Sequence, residues 1–356
     1  MRLARLGGMA SGLAKIITAL IVGTLVGSAA LAQSSAQPAA PGGKGNPAQT
    51  AASNGNDAGQ SSPPESQPIG QEPSGNDQGM FVFKKQVEEV VLHATVVDDQ
   101  QRLVTGLDGK DFSVFENGVQ QTITSFRHED VPVEIGIVVD NSGSMRDKRD
   151  QVNQAVLNLI HASNPQDQVF VVNFGQNPYL DQDFTSDVAL LQAALHQVTA
   201  KGSTALYDAI SASAVHLEHN PRLAKKVLLV ITDGQDNMSQ ETLQESLRRL
   251  QQPDGPTLYA IGLVGSGLQG EGREALTRLA QGTGGVAYFP DSSDQADEIT
   301  RTVAHDIRTQ YTIAFRPQNQ NLKPEYQSLR VEAHAAGYTK LTVRTRSGYY
   351  ADSPAR

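Results

Sequence analysis

The chain has no cysteine in its 356 residues. A disulfide framework and thiol chemistry are therefore excluded, as is a lipoprotein anchor, which needs a cysteine behind its cleavage site. Beyond the first 32 residues, no apolar run approaches the length that spans a membrane. Positive charge is in short supply too: 29 Lys and Arg face 38 Asp and Glu, a net charge of −9. So acidic a chain is poorly equipped to grip phosphate backbones, and no nucleic-acid partner is expected. Without disulfides the fold must rest on its core, which roughly 270 ordered residues can supply.

The chain starts with an export pattern. Arg2, Arg5 and Lys15 give a basic start, Ile16 to Ala30 is apolar, and Ala30-Leu31-Ala32 is a small-x-small cleavage site. Residues 1–32 are thus read as a signal peptide, and the protein is expected in the periplasm, on the cell surface or in the medium. Left uncleaved, the same segment would be a membrane anchor, and it is the one route to membrane contact. Its removal takes away three basic and no acidic residues, which moves the net charge from −9 to −12. Residues 33–79 are mostly Ala, Pro, Gly, Ser, Gln and Asn, with Ile69 the exception to a lack of large apolar side chains. This composition cannot offset the entropy of ordering, so a disordered tether is expected, with a span of about 35–40 Å.

From Phe81 the texture is β. Val87 to Asp98, Leu103 to Leu107, Asp111 to Glu116 and Gln120 to Phe126 read as strands, with Asn117-Gly118 as a hairpin turn and Phe112, Val114 and Phe115 as core candidates. From Val133 strands and helices alternate. Strands are expected at 133–139, 168–174, 225–231, 257–263 and 285–289, with a short edge strand near 179–184. Helices are expected at 146–162, 187–196, 205–218, 240–251, 272–281 and 294–307. The βαβα order predicts an α/β fold, a doubly wound, mostly parallel sheet of Rossmann-like kind. After residue 308 the β texture returns at Gln310 to Phe315, Ser328 to Ala333 and Leu341 to Arg346, up to Tyr349 and Tyr350. Each flanking segment is too small to fold alone. Residues 80–130 and 308–351 are therefore expected to pair into one β-sandwich into which the α/β unit, residues 131–307, is inserted.

Ligands of parallel sheets bind outside the carboxyl ends of the strands. Three oxygen-bearing loops fall there. The first is Asp140-Asn141-Ser142-Gly143-Ser144, directly after the apolar strand Val133 to Val139. The second is the stretch 202–208, in which Thr204 stands just before a helix. The third is Thr232-Asp233-Gly234, after Val227 to Ile231. Three neutral hydroxyls (Ser142, Ser144, Thr204) and two carboxylates (Asp140, Asp233) suit a hard divalent cation, Mg²⁺ first, with Mn²⁺ or Ca²⁺ as substitutes. With one or both carboxylates acting through water, the ion keeps positive character toward an acidic group from outside. Taken singly, each loop also reads as a helix cap or a turn.

The five positions resemble the metal-ion-dependent adhesion site of the von Willebrand factor A domain, whose pattern is DxSxS, then Thr, then Asp. PVEIGIVVDNSGSM, KGSTALYDAI and VLLVITDGQDN resemble bacterial members. DFSVFENGVQQTITSF and YTIAFRP…RSGYYA resemble the "VWFA-related" family common in soil bacteria such as the Acidobacteria. The resemblance implies that Ser142 and Ser144 ligate directly, that Thr204 does so in the ligand-bound state, and that Asp140 and Asp233 hold the ion directly or through water. It implies a non-enzymatic role in adhesion or complex assembly, with a protein partner that supplies an acidic side chain.

The other readings are an Mg²⁺-dependent phosphotransfer enzyme using Asp140 and a structural domain with an unused site. The enzyme would usually carry a second Asp two residues on, where Ser142 stands, and a catalytic Lys; Lys201 and Lys225 have no motif around them. Asp236 and Asn237, which could also support the ion's ligands or form a small second cation site, read as a self-capping turn; His216 and His219, at a possible zinc spacing with no third ligand nearby, as a solvated helix end; the run Asp147 to Asp150 as a solvated face; and Gly282 to Gly285, which resembles a fragment of a phosphate loop but lacks its Lys, as a helix C-cap and turn.

Overall fold

A computed structural model describes residues 89–196, 200–219, 221–263, 270–292, 295–318 and 325–351. Contacts divide the chain into Met1–Asp77 and Gln78–Arg356, and every described residue belongs to the second unit. The signal, the tether and the start of order at Phe81 fall outside the described residues.

Strands β1 (Val90–Val97), β2 (Phe112–Glu116) and β3 (Val119–Gln121) open the ordered part. Asn117 and Gly118 both take positive φ, 49° and 79°, and close the β2–β3 hairpin as a two-residue turn. The strand expected over 120–126 is broken at Thr122. β3 stays with β2, whereas β4 (Ile123–Arg127) joins a different sheet. Alternation runs on through the break, so the pattern does not reveal it. The strand expected at 103–107 shrinks to one bridge, Val97 to Leu103. Tyr311 clamps that segment instead, its hydroxyl donating to Val104 O at 2.9 Å and accepting from Leu107 N at 3.1 Å. Phe115 points away from the core, and the Arg330 guanidinium lies 4.2 Å from its ring centre.

Strand β5 (Val133–Asp140) is buried at every position, as a largely apolar strand in a sheet covered on both faces requires; its Glu134 accepts from the amides of Arg222 and Leu223. It leads through a 3₁₀ turn (Gly143–Lys148) into helix α1 (Arg149–Ala162). There follow β6 (Gln168–Phe174), β7 (Pro178–Thr185), α2 (Val188–His196), α3 (Leu206–His219), β8 (Lys225–Thr232), α4 (Leu243–Leu250), β9 (Thr257–Gly262), α5 (Glu271–Thr283), β10 (Ala287–Tyr288) and α6 (Ala296–Arg308). The sheet order is β10-β9-β8-β5-β6-β7, parallel except for β7 at the edge. One apolar layer takes in α1, α2 and α6, and the other α3, α4 and α5. The fold is thus the expected doubly wound α/β sheet. From β5 the chain moves outward to β6 and β7, then crosses back through α2 and α3 to β8 on the other side of β5. The carboxyl ends of β5 and β8 consequently lie side by side at the switch point.

The chain ends in β11 (Tyr311–Phe315), β12 (Tyr326–Ala333), β13 (Thr342–Arg344) and β14 (Gly348–Tyr350). These complete two antiparallel four-stranded sheets, β13-β1-β11-β4 and β14-β12-β2-β3, each of which mixes strands from both flanks of the α/β unit. One apolar cluster, with Leu92, Val114, Tyr311, Phe315, Val331 and Tyr349, takes side chains from both sheets. Polar bonds fasten this part to the α/β unit: Tyr350 N donates to Gln251 O at 2.9 Å, and Arg344 reaches Asp306 at 3.2 Å.

Candidate metal centre

The side-by-side ends of β5 and β8 bring Asp140 and the turn Thr232-Asp233-Gly234 together. Asp140 is fully buried. Its Oδ1 accepts from Ser142 N at 2.7 Å, and its Oδ2 accepts from Thr232 Oγ1 at 2.5 Å. Burial pushes the Asp140 carboxyl above the ordinary range, while the bonds from Thr232 and Ser142 pull it back. Ser142 occupies the N-cap position of the 3₁₀ turn but makes no side-chain cap bond. Its hydroxyl instead lies 3.1 Å from Ser144 Oγ, which donates to Asp233 Oδ1 at 2.7 Å. A continuous chain of oxygens therefore runs from the first loop to the third.

Thr204 enters from the second loop and is 3% exposed. A Cβ on Gly234 would sit 3.1 Å from Thr204 Oγ1 and 3.7 Å from Asp140 Oδ2. The missing side chain at Gly234 is what lets these two oxygens share one concavity. Backbone bonds fix the loops against one another: Lys201 N donates to Asn141 O at 2.8 Å and Ala205 N to Gly175 O at 2.7 Å. All five sequence candidates, Asp140, Ser142, Ser144, Thr204 and Asp233, thus stand around one small polar basin.

Three groups that the sequence did not assign to this place complete it. Thr232 is the hydroxyl that orients Asp140. Asp236 forms the expected self-capping turn, accepting from Ser239 N at 3.3 Å and Ser239 Oγ at 2.5 Å, and its Oδ2 also accepts from Leu206 N at 2.7 Å and so caps α3. Asn237 joins it, accepting from Thr204 N at 3.0 Å and donating its own N to Thr204 O at 3.0 Å. The run Asp147 to Asp150 is not simply a solvated face. Lys148 Nζ meets Asp233 Oδ2 at 2.5 Å, and Arg149, 7% exposed, donates to Asn173 Oδ1 and Leu195 O at 3.0 and 3.1 Å. The 3₁₀ turn explains this, since it delays the helix to Arg149 and turns the two basic residues inward.

The remaining candidates lie elsewhere. His219 is exposed at the end of α3 as expected, whereas His216 is only partly exposed. It stacks on Phe184 with ring centres 5.1 Å apart and bonds Asp183 at 2.9 Å. Gly284, at φ 90°, ends α5 as the expected left-handed cap.

The donor chemistry fits a hard divalent cation. Two carboxylates and three hydroxyls are grouped, and the ammonium of Lys148 already lies against one carboxylate as a cation would. Among the described residues, no group of three or more His, Cys, Asp and Glu side chains could hold a metal ion, so any site here must use hydroxyls.

Residues 135–235 match the family model for the von Willebrand factor type A domain, so the chain carries such a domain. The match lies within the α/β part. Comparison with curated proteins gave no match. Among solved structures, the chain is similar to the conserved hypothetical protein BatB from Bacteroides thetaiotaomicron (16% identity, 49% of this chain and 97% of that one, TM-score 0.41). It is also similar to a von Willebrand factor type A protein from Catenulispora acidiphila (15%, 73% and 73%, TM-score 0.43). A third is proximal thread matrix protein 1 from the mussel byssus, solved with its metal-ion-dependent adhesion site (MIDAS) motif occupied by zinc (19%, 54% and 49%, TM-score 0.42).

Proposed function

We propose that this von Willebrand factor type A domain protein is an exported binding protein that captures an acidic group of a protein partner through a divalent cation, Mg²⁺ or its Mn²⁺ or Ca²⁺ substitutes. The observation that carries the reading is the convergence of three loops on one basin. There Asp140 is buried and held by two hydrogen bonds, and Asp233 is already met by a cation. Asp140, Ser142, Ser144, Thr204 and Asp233 would hold the ion. When bound, the ion supplies a coordination position for a carboxylate oxygen from outside. Thr232 and the Ser142 amide fix the Asp140 carboxylate. The Asn237 bonds hold Thr204 at the edge of the basin, and Ser144 ties the first loop to Asp233. The neutral hydroxyls leave the site's charge open to an anion, where a cage of carboxylates would repel one.

A phosphotransfer reading fits less well. An aspartyl nucleophile must be reachable, and Asp140 is 0% exposed with both oxygens engaged. Lys225 points to Ile307 O instead.

The test is affinity capture from an envelope extract with the full chain in Mg²⁺, eluted by chelator, beside Thr204→Ala. Chelator-released capture that Thr204→Ala lacks while still folded supports the reading. Capture that survives both chelator and Thr204→Ala would move the binding surface away from this basin.

A further inference from the structure

Asp233 is 1% exposed, and it belongs to the basin proposed above to hold a metal ion. A carboxylate taken that far from water must be matched by donors or by a positive charge. One of its oxygens has the Ser144 hydroxyl at 2.7 Å, and the other has the Lys148 ammonium at 2.5 Å. Lys148 comes from the junction of the 3₁₀ turn with α1, four residues past Ser144, so it shares the loop that carries the serines. Its side chain keeps 24% exposure, which leaves it a path out toward solvent. The other charges of that loop lie differently. Arg146, Asp147 and Asp150 are exposed, and Arg149 is turned inward to the backbone of Asp140 and Leu195 and to Asn173.

We infer that Lys148 is a tethered cation that neutralises Asp233 in the metal-free protein and competes with the divalent ion for it. The inference rests on the reading that the basin binds a metal. The argument is one of charge and place. An ammonium and a divalent ion cannot both sit hard against the same carboxylate oxygen, since two like charges at that spacing repel. Binding at Asp233 Oδ2 therefore costs the Lys148 ion pair. That exchange has two consequences. The empty basin does not open by carboxylate repulsion, because Asp140 and Asp233 are never left together without a cation. The affinity for the ion is also set below what the five oxygens alone would give.

The experiment uses the full chain and three variants, Lys148→Met, Lys148→Gln and Lys148→Arg. Met keeps the apolar stem and removes the charge, Gln guards against a misfolded Met variant, and Arg keeps the charge. Two measurements are made: the Tm in chelator, and the Mg²⁺ dissociation constant by calorimetric titration. Competition predicts that Met and Gln lower the Tm in chelator and tighten Mg²⁺ binding by about tenfold, the equivalent of about 1.4 kcal/mol. Arg should follow the parent in both. Unchanged or weaker Mg²⁺ binding by Met and Gln would overturn the inference while leaving the metal site standing. No Mg²⁺ binding by the parent or by any variant would overturn both.

Discussion

Replacing Asp140 with Asn separates the stability of the fold from the metal binding proposed for it. In the metal-free protein the substitution keeps the shape of a fully buried side chain. The amide oxygen can still accept one of the two bonds now made by Ser142 N and Thr232 Oγ1, at 2.7 and 2.5 Å. The other donor loses its acceptor, at a cost of about 1–3 kcal/mol, and relief of the buried charge offsets part of that loss. The metal-free Tm should therefore drop by only a few degrees. The metal-linked part behaves differently. An ion that binds only the folded state stabilises it by about 2.7 kcal/mol at a hundredfold excess over its dissociation constant. For a domain of this size each kcal/mol moves Tm by roughly 2–4 °C. Mg²⁺ at that excess should thus raise the parent's Tm by roughly 5–11 °C and leave Asp140→Asn unmoved. Calorimetry of metal-stripped protein, with Mg²⁺ and with chelator, reads both quantities. An equal rise in Asp140→Asn would place the ion elsewhere, and the five-oxygen reasoning would fail.

Two further expectations concern the sandwich. Tyr349 is buried and donates to Glu116 Oε1 at 2.7 Å, while burial already pushes the Glu116 carboxyl up. Tyr349→Phe should cost about 1–3 kcal/mol in chemical denaturation, because it strips a buried carboxylate of its donor; a loss below about 0.5 kcal/mol, the level of an indifferent surface change, would contradict that. His93 on β1 has its pKa lowered from 6.5 to about 3, first by burial and then by Lys225 and Arg346. The unfolded chain then takes up a proton that the folded one refuses, so stability is full above pH 6.5 and declines as pH falls from there toward 3. His93→Gln should flatten the fall of the urea midpoint across that range; parallel pH profiles for the two proteins would show that His93 does not drive it.

The α/β sheet was legible in the sequence because its physics is local. A strand covered on both faces must be mainly apolar, as β5 and β8 are apart from Glu134 and Asp140 in β5 and Lys225, Lys226 and Thr232 in β8, and helices between such strands leave few topologies open. The grouping of the five candidate oxygens was legible for the same reason, since a strand's carboxyl end is where a sheet of this kind exposes polar loops. The split at Thr122 was not legible, because alternation does not say which sheet a strand will join. Nor were Lys148, Thr232 and Asp236, whose roles depend on partners 85, 92 and 30 residues away.

What the sequence alone determined, then, is the order of the elements and the identity of the side chains that reach the edge of the sheet. What only the tertiary structure decided is which of those side chains face one another. That depends on β5 and β8 lying side by side and on a 3₁₀ turn that swings Lys148 onto Asp233. Spacing along a chain fixes the direction of a side chain within its own strand or helix, whereas contact between loops is set by how the whole sheet is wound.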